Sequence, residues 1–219
     1  MSRRQSGEQV IWSAVTPVAI TSSTDATPIV VTATAHGLVT GDLVMINGHT
    51  TNVAANGLRK ITKLTADTYS LQNYNTGANI AGSGAGAGAS GVMSVAPKIL
   101  LVTDWRNVIF SVETSGSFNG TIKIAGSLGD PVTTAAGKYS EDTPNFGGTQ
   151  SASNQYSFLQ IINLDTAAAV NGATGVTSAG TDLHNTYEIN VNAVKYITWV
   201  FTAWSAGAVT IKAIMTDNL

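Results

Sequence analysis

The chain has no cysteine, which excludes a disulfide framework, a thiolate metal site and a thiol nucleophile. Charge is almost as scarce: Asp, Glu, Lys and Arg make up 11% of the residues, against roughly 25% in ordinary soluble domains. Eleven basic residues face thirteen acidic ones, for a net charge of −2. No basic excess is left to balance phosphates, so a nucleic-acid partner is not expected. No run approaches the roughly 18 apolar residues of a membrane-spanning helix, and the segment from Met1 to Gln9 lacks the apolar stretch of an export signal. The expectation is a soluble, unexported chain with no membrane partner. Helical periodicity is also nearly missing.

What is present is β chemistry. Of 219 residues 43% are hydrophobic, mean hydropathy is +0.15, and apolar positions mostly alternate with period two between Gly, Asn and Asp interruptions. The surface must then be built largely from Ser, Thr, Asn, Gly and Ala. Such a surface aggregates unless its sheet edges are paired or covered, which points to a subunit of an assembly.

The expected fold class is all-β, a small N-terminal β-barrel followed by an antiparallel, jelly-roll-like β-sandwich. Residues 1–23 read as an arm, 24–95 as the barrel and 96–219 as the sandwich. Within the arm, Val10-Ile11-Trp12 is too apolar for a free terminus and is expected to dock on a neighbour or on its own sandwich. Short strands are expected at residues 29–34, 43–46, 59–64 and 68–71, with Asn47-Gly48 and Asn56-Gly57 supplying the positive φ that tight turns need. Residues Gly82 to Gly91, made up entirely of Gly, Ala and Ser, read as a flexible loop or linker, and no Gly-Lys-Ser/Thr follows to make them a phosphate loop.

The second half carries an internal likeness. Val108-x-Phe110-x-Val112, Gly116 and Thr121-Ile122-Lys123 recur in form as Ile197-x-Trp199-x-Phe201, Gly207 and Thr210-Ile211-Lys212, at a step of 89 residues from Val108 to Ile197. Each reads as a hairpin with Phe110, Val112 and Ile122, or Trp199, Phe201 and Ile211, turned inward. Residues 156–162 and 187–191 read as strands between them. Residues 125–155 and 163–185 read as long excursions, the first carrying Glu141-Asp142 and Phe146, the latter an aromatic able to anchor in a neighbour.

Candidate chemistry is thin. His36, between a strand and the Gly37 to Gly41 turn, reads as a turn histidine before a general base or a metal ligand. His49 reads as solvated. Asp182 and His184, two apart, would share a face of an extended segment, but two donors fall short of the three or four protein ligands of a zinc site. Glu141-Asp142 and Asp165 lack calcium-loop spacing. Trp12, Trp105, Trp199 and Trp204 fit core and interface packing, with a sugar-stacking platform as the alternative. Arg3 and Arg4 read as a solvated basic start. No catalytic, cofactor-binding or metal residue is assigned, and no cofactor is expected.

Residues 24–95, with His36-Gly37-Leu38, Gly41-Asp42, Val44, Ile46, Gly48, Asn56-Gly57 and Thr68-Tyr69-Ser70-Leu71, resemble a small β-barrel module. It is similar to the first catalytic-cysteine half-domain of ubiquitin-activating enzymes as that module recurs in tailed-phage virion proteins, and it carries no catalytic residue. Residues 99–217, with Trp105-Arg106-Asn107-Val108, Ser117-Phe118-Asn119-Gly120-Thr121-Ile122 and the segment Lys195 to Ile214, resemble β-sandwich domains of bacteriophage structural proteins. The resemblance implies a non-enzymatic virion protein, assembled in the host cytoplasm. A capsid decoration (cement) protein comes first, a dimer or trimer bound to the major capsid protein or other virion proteins. A tail adaptor or fibre-like, glycan-binding host-contact protein is the alternative.

Overall fold

The computed structural model describes residues 4–74, 76–84, 86–87, 91–127, 130–133, 139–140 and 157–217. Within them the chain is all-β, apart from one 3-10 turn at Val53–Ala55. Among the described residues no helix is long and apolar enough to cross a membrane. The first strands are β1 (Gln9–Val15), β2 (Val18–Ala19), β3 (Ser22–Ser23), β4 (Val30–Thr32), β5 (Leu43–Asn47), β6 (Gly57–Lys63), β7 (Thr68–Asn73), β8 (Gly86–Ala87) and β9 (Val92–Val95). There follow β10 (Leu100–Leu101), β11 (Asn107–Ser127), β12 (Asp130–Thr133), β13 (Tyr139–Ser140), β14 (Ser157–Phe158) and β15 (Ile161–Asn163). The last are β16 (Ala168–Val170), β17 (Val176–Ala179), β18 (His184–Asn190) and β19 (Tyr196–Thr216).

The smaller sheet has eight strands in the order β2-β9-β5-β6-β7-β4-β3-β8. It curls into a half-barrel around Ile20, Ile29, Val31, Val44, Ile46, Ile61, Tyr69 and Leu71, all buried. The segment read as an arm is shared between the sheets, because β1 pairs with β19 while β2 and β3 join the half-barrel. Docking of Val10-Ile11-Trp12 is thus on the chain's own sandwich.

The Gly82 to Gly91 stretch is not a free linker where it is described. The Gly82 amide donates to the Ala26 carbonyl at 2.9 Å and the Ser83 amide to Asn52 Oδ1 at 3.0 Å, while β8 pairs with β3. Gly91 has φ +96°, and a Cβ there would stand 2.8 Å from the Asn47 carbonyl oxygen. Small residues serve close backbone approach here rather than freedom of motion.

The second half is organised by β11 and β19, each 21 residues long. They pair antiparallel from Asn107↔Thr216 to Ser127↔Tyr196. The two expected hairpins are therefore corrected: each is one continuous strand, bent rather than reversed. Gly116 (φ +77°) and Gly207 (φ +84°) bend the strands where they pass each other, a Cβ on Gly116 coming 3.4 Å from the Gly207 Cα. The ladder is irregular at the same place, between Ser115 and Ile122, as bulges require.

The 89-residue likeness follows from this ribbon. An antiparallel pair has a local two-fold axis, and the step that carries Val108 to Ile197 carries Gly126 to Met215. The pair Val108↔Met215 is thereby mapped onto the pair Gly126↔Ile197. Equivalent positions then need the same inward apolar residues.

The bent ribbon folds onto itself. Phe110 meets Trp199 edge to face at 5.5 Å, and Trp12 stacks on Phe201 at 4.6 Å. The lower layer holds residues 107–115 and 208–216 with β1, β18, β15 and β16. The upper layer holds residues 119–127 and 196–206 with β10, β17 and β14. Val108, Phe110, Val112, Ile122, Ile124, Trp199, Phe201 and Ile211 fill the space between.

Residues 163–185 are corrected as well, since they contain β16 and β17, paired to β15 and β11. These strands are short and rich in Ala, Thr and Ser, so no apolar alternation marks them. Of residues 125–155, the first three continue β11; Glu141-Asp142 and Phe146 lie outside the described residues.

Half-barrel and sandwich meet in a third apolar cluster. Met45 and Leu58 of the half-barrel pack with Ala125, Tyr196 and Val200 of the upper layer, flanked by Tyr74, Ala96, Ile99 and Phe158. One end of the upper layer's outer face is covered in this way, and every residue from Tyr196 to Phe201 is buried.

Candidate functional site

Most of the polar candidates are committed to the fold. His36 is buried, its Nδ1 accepts the Leu38 amide at 3.0 Å, and its ring stands edge-on to Tyr69 at 5.1 Å. This is the turn role read from the sequence. The Tyr69 hydroxyl is buried without a hydrogen-bond partner, and burial pushes its pKa up.

His49 corrects the expectation of a solvated ring: it is only 1% exposed. Its Nδ1 lies 3.4 Å from the Asn52 amide, and Asn56 bridges its backbone, accepting from the His49 amide at 2.9 Å and donating to its carbonyl at 2.8 Å. Burial lowers its pKa by disfavouring the charged ring.

Asp182 and His184 form no metal pair. Asp182 Oδ1 accepts the Phe118 amide at 3.0 Å, while His184 stands exposed opposite Glu113. Asp165 Oδ2 accepts the Thr186 amide at 2.9 Å. Among the described residues no three His, Asp or Glu side chains gather as a metal centre would need.

The tryptophans do not line up as a platform. Trp12 and Trp199 are buried, and Trp12 Nε1 donates to the Val95 carbonyl at 3.1 Å. Trp204 Nε1 donates to the Gly207 carbonyl at 2.9 Å, which ties the ring to the bend. Trp105 is half-buried, with the Arg4 guanidinium 4.3 Å above it. Arg4 is not a free terminal cation: its Nε also pairs with Asp217 at 2.9 Å and its Nη2 bonds the Asp104 carbonyl. Arg3 lies outside the described residues.

What remains is a surface. Along the lower layer side chains alternate, so residues beside Phe110 and Tyr187 point away from the core. One outward row runs Ala169, Ile162, Glu188, Ile109, Ile214 across β16, β15, β18, β11 and β19. The next runs Thr186, Ser111, Lys212, Val10 across β18, β11, β19 and β1. Leu164 adjoins it, its amide bonded to the Thr186 carbonyl.

Val10, Ile162 and Leu164 are 42–49% exposed, and Ile109 and Ile214 half-buried. Ser111, the smallest side chain of its row, sits in a shallow depression of about 160 Å³ walled by Ile109, Ile214, Thr186, Lys212 and Glu8. Lys212 Nζ is 3.3 Å from Glu8. Glu188 has no ion-pair partner among the described residues. A solvated sheet face usually carries polar residues, so outward aliphatics at Ile109, Ile162, Leu164 and Ile214 were the signal available in the sequence. Reading it required the register, which the hairpin assignment had wrong.

No protein-family model matches the chain, and no curated protein does. Among solved structures it is similar to the crystal structure of the SPBc2 prophage-derived protein YomS, with TM-score 0.36 and 10% identity over 55% of this chain and 79% of that one.

Proposed function

We propose that this chain is a non-enzymatic structural subunit of a tailed-phage virion, and that it decorates the capsid as a cement protein. The observation that carries this reading is the open face of the lower layer. A broad sheet surface offers aliphatic side chains to solvent, while His36, His49, Trp12, Trp199 and Trp204 serve the fold. Many weak contacts of this kind, repeated on a lattice, stabilise a shell by avidity without any chemistry. The resemblance of residues 24–95 and 99–217 to virion modules supports the setting, with the major capsid protein or another virion protein and further copies of the chain as partners.

Mass spectrometry of purified particles tests it. Copies in the hundreds fit decoration, whereas fewer than about a dozen would move the protein to the tail, since shell symmetry repeats a cement site many times. Clearing of host cell wall in a zymogram would overturn the non-enzymatic reading.

One observation favours the tail-located, glycan-binding alternative. Trp105 borders an open cleft of about 350 Å³ with Thr103, Asn192 and Lys195, an aromatic beside polar groups as sugars require. Glycan-array binding abolished by Trp105→Ala would favour that alternative; unchanged binding, or none in the parent protein, would remove it.

A further inference from the structure

We infer that the open face of the lower layer is the contact surface of a two-fold dimer of this chain. The inference deepens the homo-oligomer in the proposed function, and rests on that reading only for the setting in which the dimer works.

The two outer faces of the sandwich provide the first argument. The upper one is covered by the half-barrel along Tyr196 to Val200, through Met45 and Leu58. Among the described residues the lower one leaves Ile162 and Leu164 exposed and Ile109 and Ile214 half-buried. Its two rows span six strands, β16 to β1. At about 4.8 Å between strands and about 7 Å per two-residue step, the face measures about 24 Å by about 20 Å once its margins are included. That is about 480 Å² per copy, the scale of a weak, reversible interface.

Charge placement selects a second copy as the occupant. Glu188 and Lys212 lie in neighbouring rows on either side of β11, two strands apart and one two-residue step along. A two-fold axis lying in the face and passing over β11 midway between them exchanges the two positions. Each Glu188 then faces Lys212 of the second copy, and Ile109 falls beside Ile214 of the second copy. Isologous contact demands this reciprocity, in which one residue meets another and is met by it in return. Lys212 keeps Glu8 as a second partner at the margin, and Glu113 with His184 lies at the rim, where solvent remains.

Sedimentation velocity from about 1 to about 100 µM, bracketing the constants usual for such interfaces, tests the inference on the full chain. The expected result is a reversible dimer of the 22.6 kDa chain. Ile109→Lys and, separately, Ser111→Lys should leave folded monomers, as judged by circular dichroism and thermal melts. Glu188→Lys and Lys212→Glu should each weaken dimerisation by at least about tenfold, because like charges are then juxtaposed, and the two together should recover most of the loss.

A parent that stays monomeric at the highest concentration overturns the inference. So does an oligomer indifferent to these substitutions, or a double variant no better than the single ones. Failure here is distinct from failure of the virion reading: a dimer in solution with no copies in particles removes the setting and keeps the interface. Monomers in solution with hundreds of copies on particles do the reverse.

Discussion

The two arms of β19 carry the same fold to opposite outcomes. Tyr196–Phe201 is buried on both faces, with Trp199 and Phe201 toward the sandwich core and Tyr196 and Val200 beneath the half-barrel. Thr210–Thr216 is buried mainly on one face, with Lys212 and Ile214 directed outward. A strand with a neighbour on each side tolerates a continuous apolar run, whereas one with an uncovered face should alternate. Ile214 and its row-mates break that alternation, which makes the lower face resemble a covered face lacking its cover.

Substitutions that probe this contrast should rank by how many layers they disturb. Trp199→Ala, in the core shared by both layers, should cost about 3–5 kcal/mol by urea denaturation. Trp199→Phe should cost much less, because it also removes a buried indole N–H that has no acceptor. Leu58→Ala, which opens only the joint over the upper layer, should cost about 2–4 kcal/mol. A loss below about 1 kcal/mol there would mean that the half-barrel adds little to the covered face.

At the bend, Gly207→Ala places a Cβ 2.7 Å from the Phe118 Cα and the Ser115 carbonyl oxygen at φ +84°. It should cost at least about 2 kcal/mol, combining left-handed strain with a backbone clash. Gly180→Ala, at φ +90° with nothing near its Cβ, isolates the strain alone and should cost about 1–2 kcal/mol.

Acidification should act on the half-barrel more than on the sandwich. Because burial holds His49 below its ordinary pKa, the unfolded chain binds the proton first. The stability associated with the neutral ring is therefore complete above about pH 6.5 and is lost as pH falls below that value toward the folded-state pKa. Denaturation midpoints at pH 7.5 and 5.0 should fall less in His49→Gln than in the parent; equal falls would assign the acid sensitivity elsewhere. Smallest of all, Ile109→Thr should change the stability of dilute protein by no more than about 1 kcal/mol, since its side chain is only half-buried and points away from the core.

Where strands are local neighbours, their pattern was readable. β5, β6 and β7 lie close to the expected spans because two-residue alternation and Asn-Gly turns act over a few residues. The inward set Phe110, Val112, Trp199 and Phe201 was equally plain. The pairing of β11 with β19 was not, because Gly116 and Gly207 look the same in sequence whether a strand reverses or only bends. What decides between them is a partner about ninety residues away, beyond the reach of any local rule. β2, β3, β8, β16 and β17 escaped for the opposite reason: they are too short and too poor in alternating apolar residues to announce themselves. The buried state of His49 likewise depends on Asn52 and Asn56 closing over it, and the open face depends on the register of the ribbon.

The ribbon also governs how the protein must reach its native state. Its nearest paired residues, Ser127 and Tyr196, are 69 positions apart and its farthest, Asn107 and Thr216, are 109 apart. The ladder between them, and with it every pairing of β19, waits until that length of chain has closed into a loop, an entropic cost incurred before any reward. High contact order of this kind places refolding in the slow regime of about milliseconds to seconds. During that interval β19, with its apolar Tyr196–Phe201 run, waits unpaired, so self-association should compete hardest with folding at high concentration and early times.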